Sequence, residues 1–148
     1  MEVGGNNKSY PGGNLSNFSG HAFVIDGIQC NSMEGFLQSL KFSNPDIQIE
    51  VCKLIGLGAK RKGANKNWKT KQILFWQGKE YKRDSKEYQE LIDRAYQAMF
   101  EQSESFRKAL YDSKGSTLKH SIGKNKIQDT VLIQQEFISR LNKLRNLL

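Results

Sequence analysis

The stretch Asn31-Ser-Met-Glu-Gly-Phe-Leu-Gln-Ser-Leu-Lys-Phe42 reads as a short helix with two unlike faces. At roughly 100° per residue, Gln38 and Lys41 fall within about 40° of Glu34, while Met33, Phe36, Leu37 and Leu40 share another face. One side can bury while the other presents polar chemistry. Glu34 lies in the first turn and Lys41 in the last, the arrangement a helix dipole favours. Asn31 is placed to cap the helix with Glu34 at N3, so a capping box is the purely structural explanation of the glutamate.

Working outward, His21 to Ile25 and Ile28 to Cys30 flank Asp26-Gly27, a pair that supplies the positive φ angles of a tight hairpin turn. The second strand leads straight into the helix. On the other side, Pro45 stands at the first position of a second helix with Ile47, Val51, Leu54 and Ile55 as its apolar stripe, ended by Gly56 and Gly58. Gln72 to Trp76, Gln77-Gly78 and Lys79 to Lys82 predict a second hairpin. Ser85 caps a long helix with Tyr88, Leu91, Ile92, Ala95 and Met99 at helical spacing, and Ser103 or Ser105 opens a continuation carrying Phe106 and Leu110. Thr117 to Ile122 suggests a short strand, and Thr130 the cap of a last helix whose Ile133, Phe137, Ile138, Leu141, Leu144 and Leu148 form one face. The expected fold is therefore α+β: a single mainly helical domain with small β-hairpins over 14–148, preceded by a loosely ordered Gly- and Asn-rich segment, 1–13.

With 148 residues the chain suffices for one core without disulfides or metal. Cys30 and Cys52 form no ligand or redox motif, and with no signal-like apolar start they suggest a reduced, cytoplasmic setting. No apolar run reaches the roughly 20 residues that span a bilayer, so no membrane partner is expected. Lys and Arg number 23 against 15 Asp and Glu, a net charge of +8. Between Lys60 and Lys71 stand Lys60, Arg61, Lys62, Lys66, Lys69 and Lys71 without an acidic residue, a local field suited to phosphate. Trp68 among them is suited to stacking on a base. No phosphate loop, nucleophile elbow or metal-binding His pair occurs, and His21 and His120 read as packed or surface histidines.

Leu15-Ser-Asn-Phe18, the strand ending in Asp26-Gly27, the Ser-x-Glu-x-x-x-Gln-x-x-Lys-Phe pattern at Ser32, Glu34, Gln38, Lys41 and Phe42, and Asn67-Trp68 together resemble the NADAR (YbiA-like) family. Phe100-Glu-Gln102 with Arg107 and Leu110, then the Leu-rich last helix, extend the resemblance over nearly the whole chain. It implies hydrolysis of a ribosyl N-glycosidic bond, in intermediates of riboflavin synthesis or in ADP-ribose attached to guanine, without metal or cofactor. Carried over, it makes Glu34 and Lys41 catalytic candidates and Asn17, Phe18, Gln38 and Trp68 substrate contacts, with Lys60, Arg61 and Lys66 on the phosphates. Gly35 stands where the family often has His. His120-Ser-Ile-Gly-Lys-Asn125 replaces a Trp-Gly-Asp-Gly region, and about Leu74 to Lys86 looks inserted.

Breaking a ribosyl C–N bond builds positive charge at the anomeric carbon, which an adjacent anion stabilises. The dipole argument makes Glu34 that ionised group, a base or electrostatic stabiliser. Lys41 is open to three roles: proton donor, phosphate contact or, when neutral, nucleophile on the opened ribose. The expected partner is a phosphorylated nucleotide-like substrate, including ADP-ribosylated nucleic acid. The alternatives are a non-catalytic ADP-ribose- or NAD-binding module and a basic nucleic-acid-binding protein.

Overall fold

The computed structural model describes residues 1–5 and 7–148. Both hairpins form where their turn dipeptides place them. β1 (Phe23–Ile25) pairs antiparallel with β2 (Ile28–Cys30) in the register Ile25 to Ile28, across Asp26 at φ 50 and Gly27 at φ 78. β3 (Ile73–Trp76) pairs with β4 (Lys79–Lys82) across Gln77 at φ 46 and Gly78 at φ 89. Each is an isolated two-stranded unit, too small to be stable alone. Helices supply what the hairpins pack against.

α1 (Met33–Ser39) is the central short helix, and it packs on α2 (Pro45–Cys52) and α3 (Gly56–Gly63). Its apolar face is buried as the pattern requires: Met33, Phe36 and Leu40 are inaccessible to solvent. Phe36 meets Trp76 edge-on at 4.9 Å and Phe23 at 6.3 Å, joining both hairpins to the helix. The N–H of Phe75 also donates to the carbonyl of Leu40 at 2.8 Å. α4 (Lys86–Gln102) and α5 (Glu104–Asp112) follow, capped by Ser85 and Ser103 as expected. α6 (Gln134–Arg145) closes the core with Phe137, Leu141 and Leu144. Among the described residues the result is six α-helices and two antiparallel hairpins around a hydrophobic cluster that holds Cys30 and Cys52 as free thiols.

Four local expectations are corrected. The cap of α1 is Ser32, whose Oγ accepts the Gly35 N–H at 3.0 Å, and Glu34 occupies N2, so no capping box involves it. In α2 the buried face carries Gln48, while Ile47 and Ile55 are exposed; Gln48 donates to the carbonyls of Ser39 and Phe75, replacing apolar contact with hydrogen bonds between α1 and β3. Gly56, expected to end α2, opens α3 instead, so Lys60 to Lys62 are helical. Finally, α6 starts after Ile133, whose N–H is held by Glu136; Thr130 lies outside the helix.

The chain start is tied down. Met1 to Val3 run parallel to Thr117 to Lys119, with Val3 N–H on Lys119 O at 2.8 Å and Lys119 N–H on Met1 O at 3.0 Å. This single bridge stands where a short strand over 117–122 was expected. Val3 is fully buried. No helix among the described residues is long and apolar enough to cross a membrane.

Candidate functional site

The N-terminus of α1 sits on the carbonyl end of α2. Asn31 donates from its backbone to Cys52 O and from Nδ2 to Lys53 O, and Ser32 Oγ donates to Leu54 O at 2.9 Å. These contacts satisfy carbonyls that a helix end leaves unpaired. They also explain Gly35: a Cβ there would stand 2.6 Å from Leu54 O and 2.9 Å from Cys52 O, so no side chain fits. The glycine is set by helix crossing, and the His frequent in the resembling family has no room.

On the opposite side the polar stripe forms as the helical spacing demands. Gln38 Nε2 donates to Glu34 Oε1 at 2.8 Å, and the Glu34 N–H donates to the carbonyl of Asn17 at 2.9 Å. Asn17 in turn accepts the buried Tyr96 hydroxyl on Oδ1 at 2.7 Å, which leaves its Nδ2 without an acceptor among the described residues. α3 crosses so closely that a Cβ on Gly63 would collide with Gln38 Oε1 and stand 3.2 Å from Lys41 Cδ. Gln38 Oε1 itself is buried with no donor among the described residues.

Burial is the largest influence on both members of the pair. It pushes the Glu34 carboxyl above the ordinary carboxylate range, against the Gln38 hydrogen bond and the attraction of Lys41, Lys60 and His120. It pushes the Lys41 amine down, against Glu34, and the like charges of Lys69, Lys124 and Lys60 add to that. Desolvation therefore outweighs mutual attraction on both partners. On Glu34 burial works against the helix terminus, whose dipole favours the ionised form by up to about 1 kcal/mol.

The other expected contacts divide. Lys60 is exposed on α3, near enough for its charge to act on both Glu34 and Lys41. Lys66 instead lies over the Phe42 ring at 5.1 Å, and Arg61 is exposed without an ion-pair partner among the described residues. Trp68 is 5% exposed within the core cluster, so no open ring face meets the base-stacking expectation. Phe18, next to Asn17 in the chain, is half-buried, with its backbone N–H on Ser16 Oγ. Sequence reasoning missed His120, Tyr96, Lys124 and Gly63. Lys69 and Lys124 carried a weak signal as members of basic runs; the other three carried none, because their place depends on which loops meet α1.

Surface hollows lie between β1 and α4 (Val24, Asp26, Arg94 and Gln97) and between α4 and α6 (Gln89, Glu136, Arg140 and Lys143). Neither contains the stripe. Their charged groups are largely paired with each other, as in Asp26–Arg94 at 2.8 Å and Arg140–Asp93 at 2.9 Å, and offer little free chemistry. Among the described residues no cluster of three His, Cys, Asp or Glu side chains is placed to hold a metal ion.

Among the described residues six α-helices and two hairpins make an α+β domain of the YbiA type, with Glu34 and Gln38 on α1 and Lys41 in the turn that follows it, beyond the last helical turn in which it was expected. The NMR structure of the E. coli protein YbiA superposes with a TM-score of 0.64 at 17% identity, covering 99% of this chain and 84% of that one, so the resemblance to the NADAR (YbiA-like) family holds at the level of fold. Within that fold class, the chain belongs to the family described as Bacteriophage protein GP30.3, which matches residues 9–146. A relative from Enterobacteria phage T4, the "Uncharacterized 17.1 kDa protein in Gp30-rIII intergenic region", is 41% identical over 142 residues, 95% of this chain and 93% of that protein.

Proposed function

We propose that the protein hydrolyses a ribosyl N-glycosidic bond in a phosphorylated, nucleotide-like substrate, with ADP-ribosyl-guanine, free or in nucleic acid, and a ribosylamino-pyrimidine phosphate as the candidate substrates. The observation that carries this reading is the Glu34–Lys41 pair, in which burial drives an acid and an amine toward their neutral forms beneath a lysine rim. Glu34 with a raised pKa protonates the departing base nitrogen, and the carboxylate it becomes stabilises the positive charge left at the anomeric carbon. Gln38 and the free amide of Asn17 are suited to ribose hydroxyls. Lys60, Lys69 and Lys124 supply the positive charge a diphosphate requires. Lys41 serves as phosphate contact or, in its neutral form, as nucleophile on the opened ribose.

The test incubates the protein with an ADP-ribosylated guanine oligonucleotide and with the ribosylamino-pyrimidine phosphate. Release of base or sugar from either one, lost in Glu34→Gln, supports the reading. No release from either, or turnover that persists in Glu34→Gln, overturns it. The second reading, an ADP-ribose-binding module without turnover, draws on the absence of the stripe from the two surface hollows. Its signature is a calorimetric binding isotherm for ADP-ribose from a protein that cleaves nothing.

A further inference from the structure

We propose that Ser105 and His21 form a second reactive site, in which the His21 imidazole takes the Ser105 hydroxyl proton and Ser105 Oγ attacks activated acyl esters. The two residues stand 84 positions apart in the chain, and the fold puts His21 Nδ1 2.7 Å from Ser105 Oγ. His21 Nε2 lies 2.6 Å from the carbonyl oxygen of Asn14. A carbonyl can only accept, so a ring proton sits on Nε2. The ring is 6% exposed, and burial pushes its pKa below the ordinary imidazole range, which leaves the neutral tautomer with its lone pair on Nδ1. The hydroxyl of Ser105 therefore donates to the imidazole.

The neighbours hold the pair in that sense. Ser103 Oγ lies 3.0 Å from Ser105 Oγ and already accepts the Phe106 N–H at 3.2 Å, so with the Ser105 proton on His21 it is Ser103 that donates. The imidazole packs against the Phe106 ring at 5.5 Å, and Asn14 is part of the 3-10 turn Gly13–Leu15. A nucleophile, a base in hydrogen-bond contact with it and a third group that orients the base make the arrangement hydroxyl catalysis requires. Ser105 is exposed, unlike Ser32, Ser39 and Ser113, which are buried and donate to backbone carbonyls. Ser103, at φ −107 and ψ 106, separates α4 from α5, and the first N–H groups of α5, on Glu104 and Ser105, have no carbonyl one turn back within their own helix. That of Ser105 is on the nucleophile's own backbone, where a developing oxyanion needs a donor. The site shares no residue with the Glu34–Lys41 stripe.

The Nε2 partner of His21 is a neutral carbonyl and not a carboxylate, so the imidazolium that forms is less stabilised than in an Asp-backed pair. That confines the substrate class to acyl esters with a good leaving group, such as aryl esters. Oγ bonds to the acyl carbon while Nδ1 takes its proton. The C–O bond to the leaving group breaks, the departing oxygen keeps the electron pair and takes the proton back from Nδ1, and the products are acyl-Ser105 and a phenol. Water then attacks the acyl carbon, gives one proton to Nδ1 and displaces Oγ, which recovers that proton; a carboxylic acid leaves and the starting state returns.

The experiment mixes the protein with 4-nitrophenyl acetate at neutral pH, follows nitrophenolate release and locates the acetyl group by peptide mass spectrometry, with thermal unfolding as the check on folding. Acetyl on Ser105, removed by neutral hydroxylamine as an ester is and a lysine amide is not, is expected to form at least about 100-fold faster than on the exposed Ser9 and Ser139 of the same digest. Ser105→Ala, a change at an exposed position, abolishes the fast nitrophenolate release, and His21→Gln slows it by the same factor. Equal acetylation of Ser105, Ser9 and Ser139 overturns the inference without any variant. Fast release that persists in Ser105→Ala, with the acetyl on lysines, overturns it too. Ser105 acetylation at the wild-type rate in a folded His21→Gln removes the imidazole from the step and overturns the pairing. None of these outcomes bears on the Glu34–Lys41 reading.

Discussion

Tyr96 donates its hydroxyl to Asn17 Oδ1 at 2.7 Å, from a position almost wholly inside the core. The same asparagine accepts the Glu34 N–H on its backbone carbonyl, so a residue of α4 sets the loop that positions the acid. Tyr96→Phe removes one buried hydrogen bond and leaves Asn17 Oδ1 unpaired, at a cost of about 1 kcal/mol. We expect a small drop in melting temperature and roughly tenfold weaker binding of ADP-ribose by calorimetry. Unchanged affinity would detach Asn17 from the site.

Gly63 gives a prediction in which stability and activity part. Alanine is the better helix residue by about 1 kcal/mol, yet a Cβ at Gly63 displaces Gln38 and crowds Lys41. Gly63→Ala should keep or raise the melting temperature while turnover falls at least about tenfold, the scale of error a misplaced group produces. Activity equal to wild type would show that Gln38 has no part in the reaction.

Glu34 should cost the fold stability as pH rises. Its carboxyl is held above the ordinary range by burial, so the native state keeps its proton where the unfolded state has lost it. Stability from this group is present below the unfolded value near 4.5 and is lost above it, up to the folded value. Glu34→Gln carries no such loss. Denaturant midpoints at pH 4 and pH 7.5 should show the variant gaining on wild type at the higher pH; a gap that is the same at both would refute the raised pKa.

The elements that local rules govern were legible in the residues. Asp26-Gly27 and Gln77-Gly78 fixed both hairpins, Ser85 and Ser103 opened their helices, and the 3.6-residue period placed Glu34 and Gln38 on one face, while α1 ends at Ser39 and leaves Lys41 in the turn after it. Errors arose where a tertiary partner decided. Gln48 is buried because the carbonyls of Ser39 and Phe75 need a donor, and Trp68 is in the core although its neighbours are lysines. His120 was unreadable for the same reason: its Nδ1 is held at the Val3 carbonyl, 117 positions away. The burial of Glu34 was unreadable because periodicity shows a face and not its depth.

Lys41 is the amine that burial and three neighbouring lysines push down, so more of it is neutral at a given pH than of an ordinary lysine. Limited reaction with an aldehyde and cyanoborohydride at pH 7.5, read by peptide mass spectrometry, should label Lys41 ahead of the exposed Lys62 and Lys71. ADP-ribose should protect it. Labelling of Lys41 that ADP-ribose leaves unchanged would place the ligand elsewhere.

Arg83 and Glu136 form the buried ion pair that joins β4 to α6, and they respond to pH in the opposite sense to Glu34. Arg83 is 1% exposed; its Nη1 donates to Glu136 Oε2 at 3.0 Å, Nη2 pairs with Oε1 at 2.5 Å, and Nε donates to Thr130 O. Burial alone would raise the Glu136 carboxyl, but Arg83, the Ile133 N–H and Gln89 together hold it below the ordinary range. A depressed folded pKa contributes stability above the unfolded value and loses it as pH falls through the folded one. Arg83→Met strands the carboxylate and should cost about 3–5 kcal/mol at neutral pH. The deficit should shrink toward pH 3, where Glu136 protonates in the variant with less penalty. Urea unfolding of both proteins across pH 3 to 7 measures it, and a deficit independent of pH would mean that Arg83 acts through its stacking on Tyr88, 5.0 Å from the ring centre, instead of through charge.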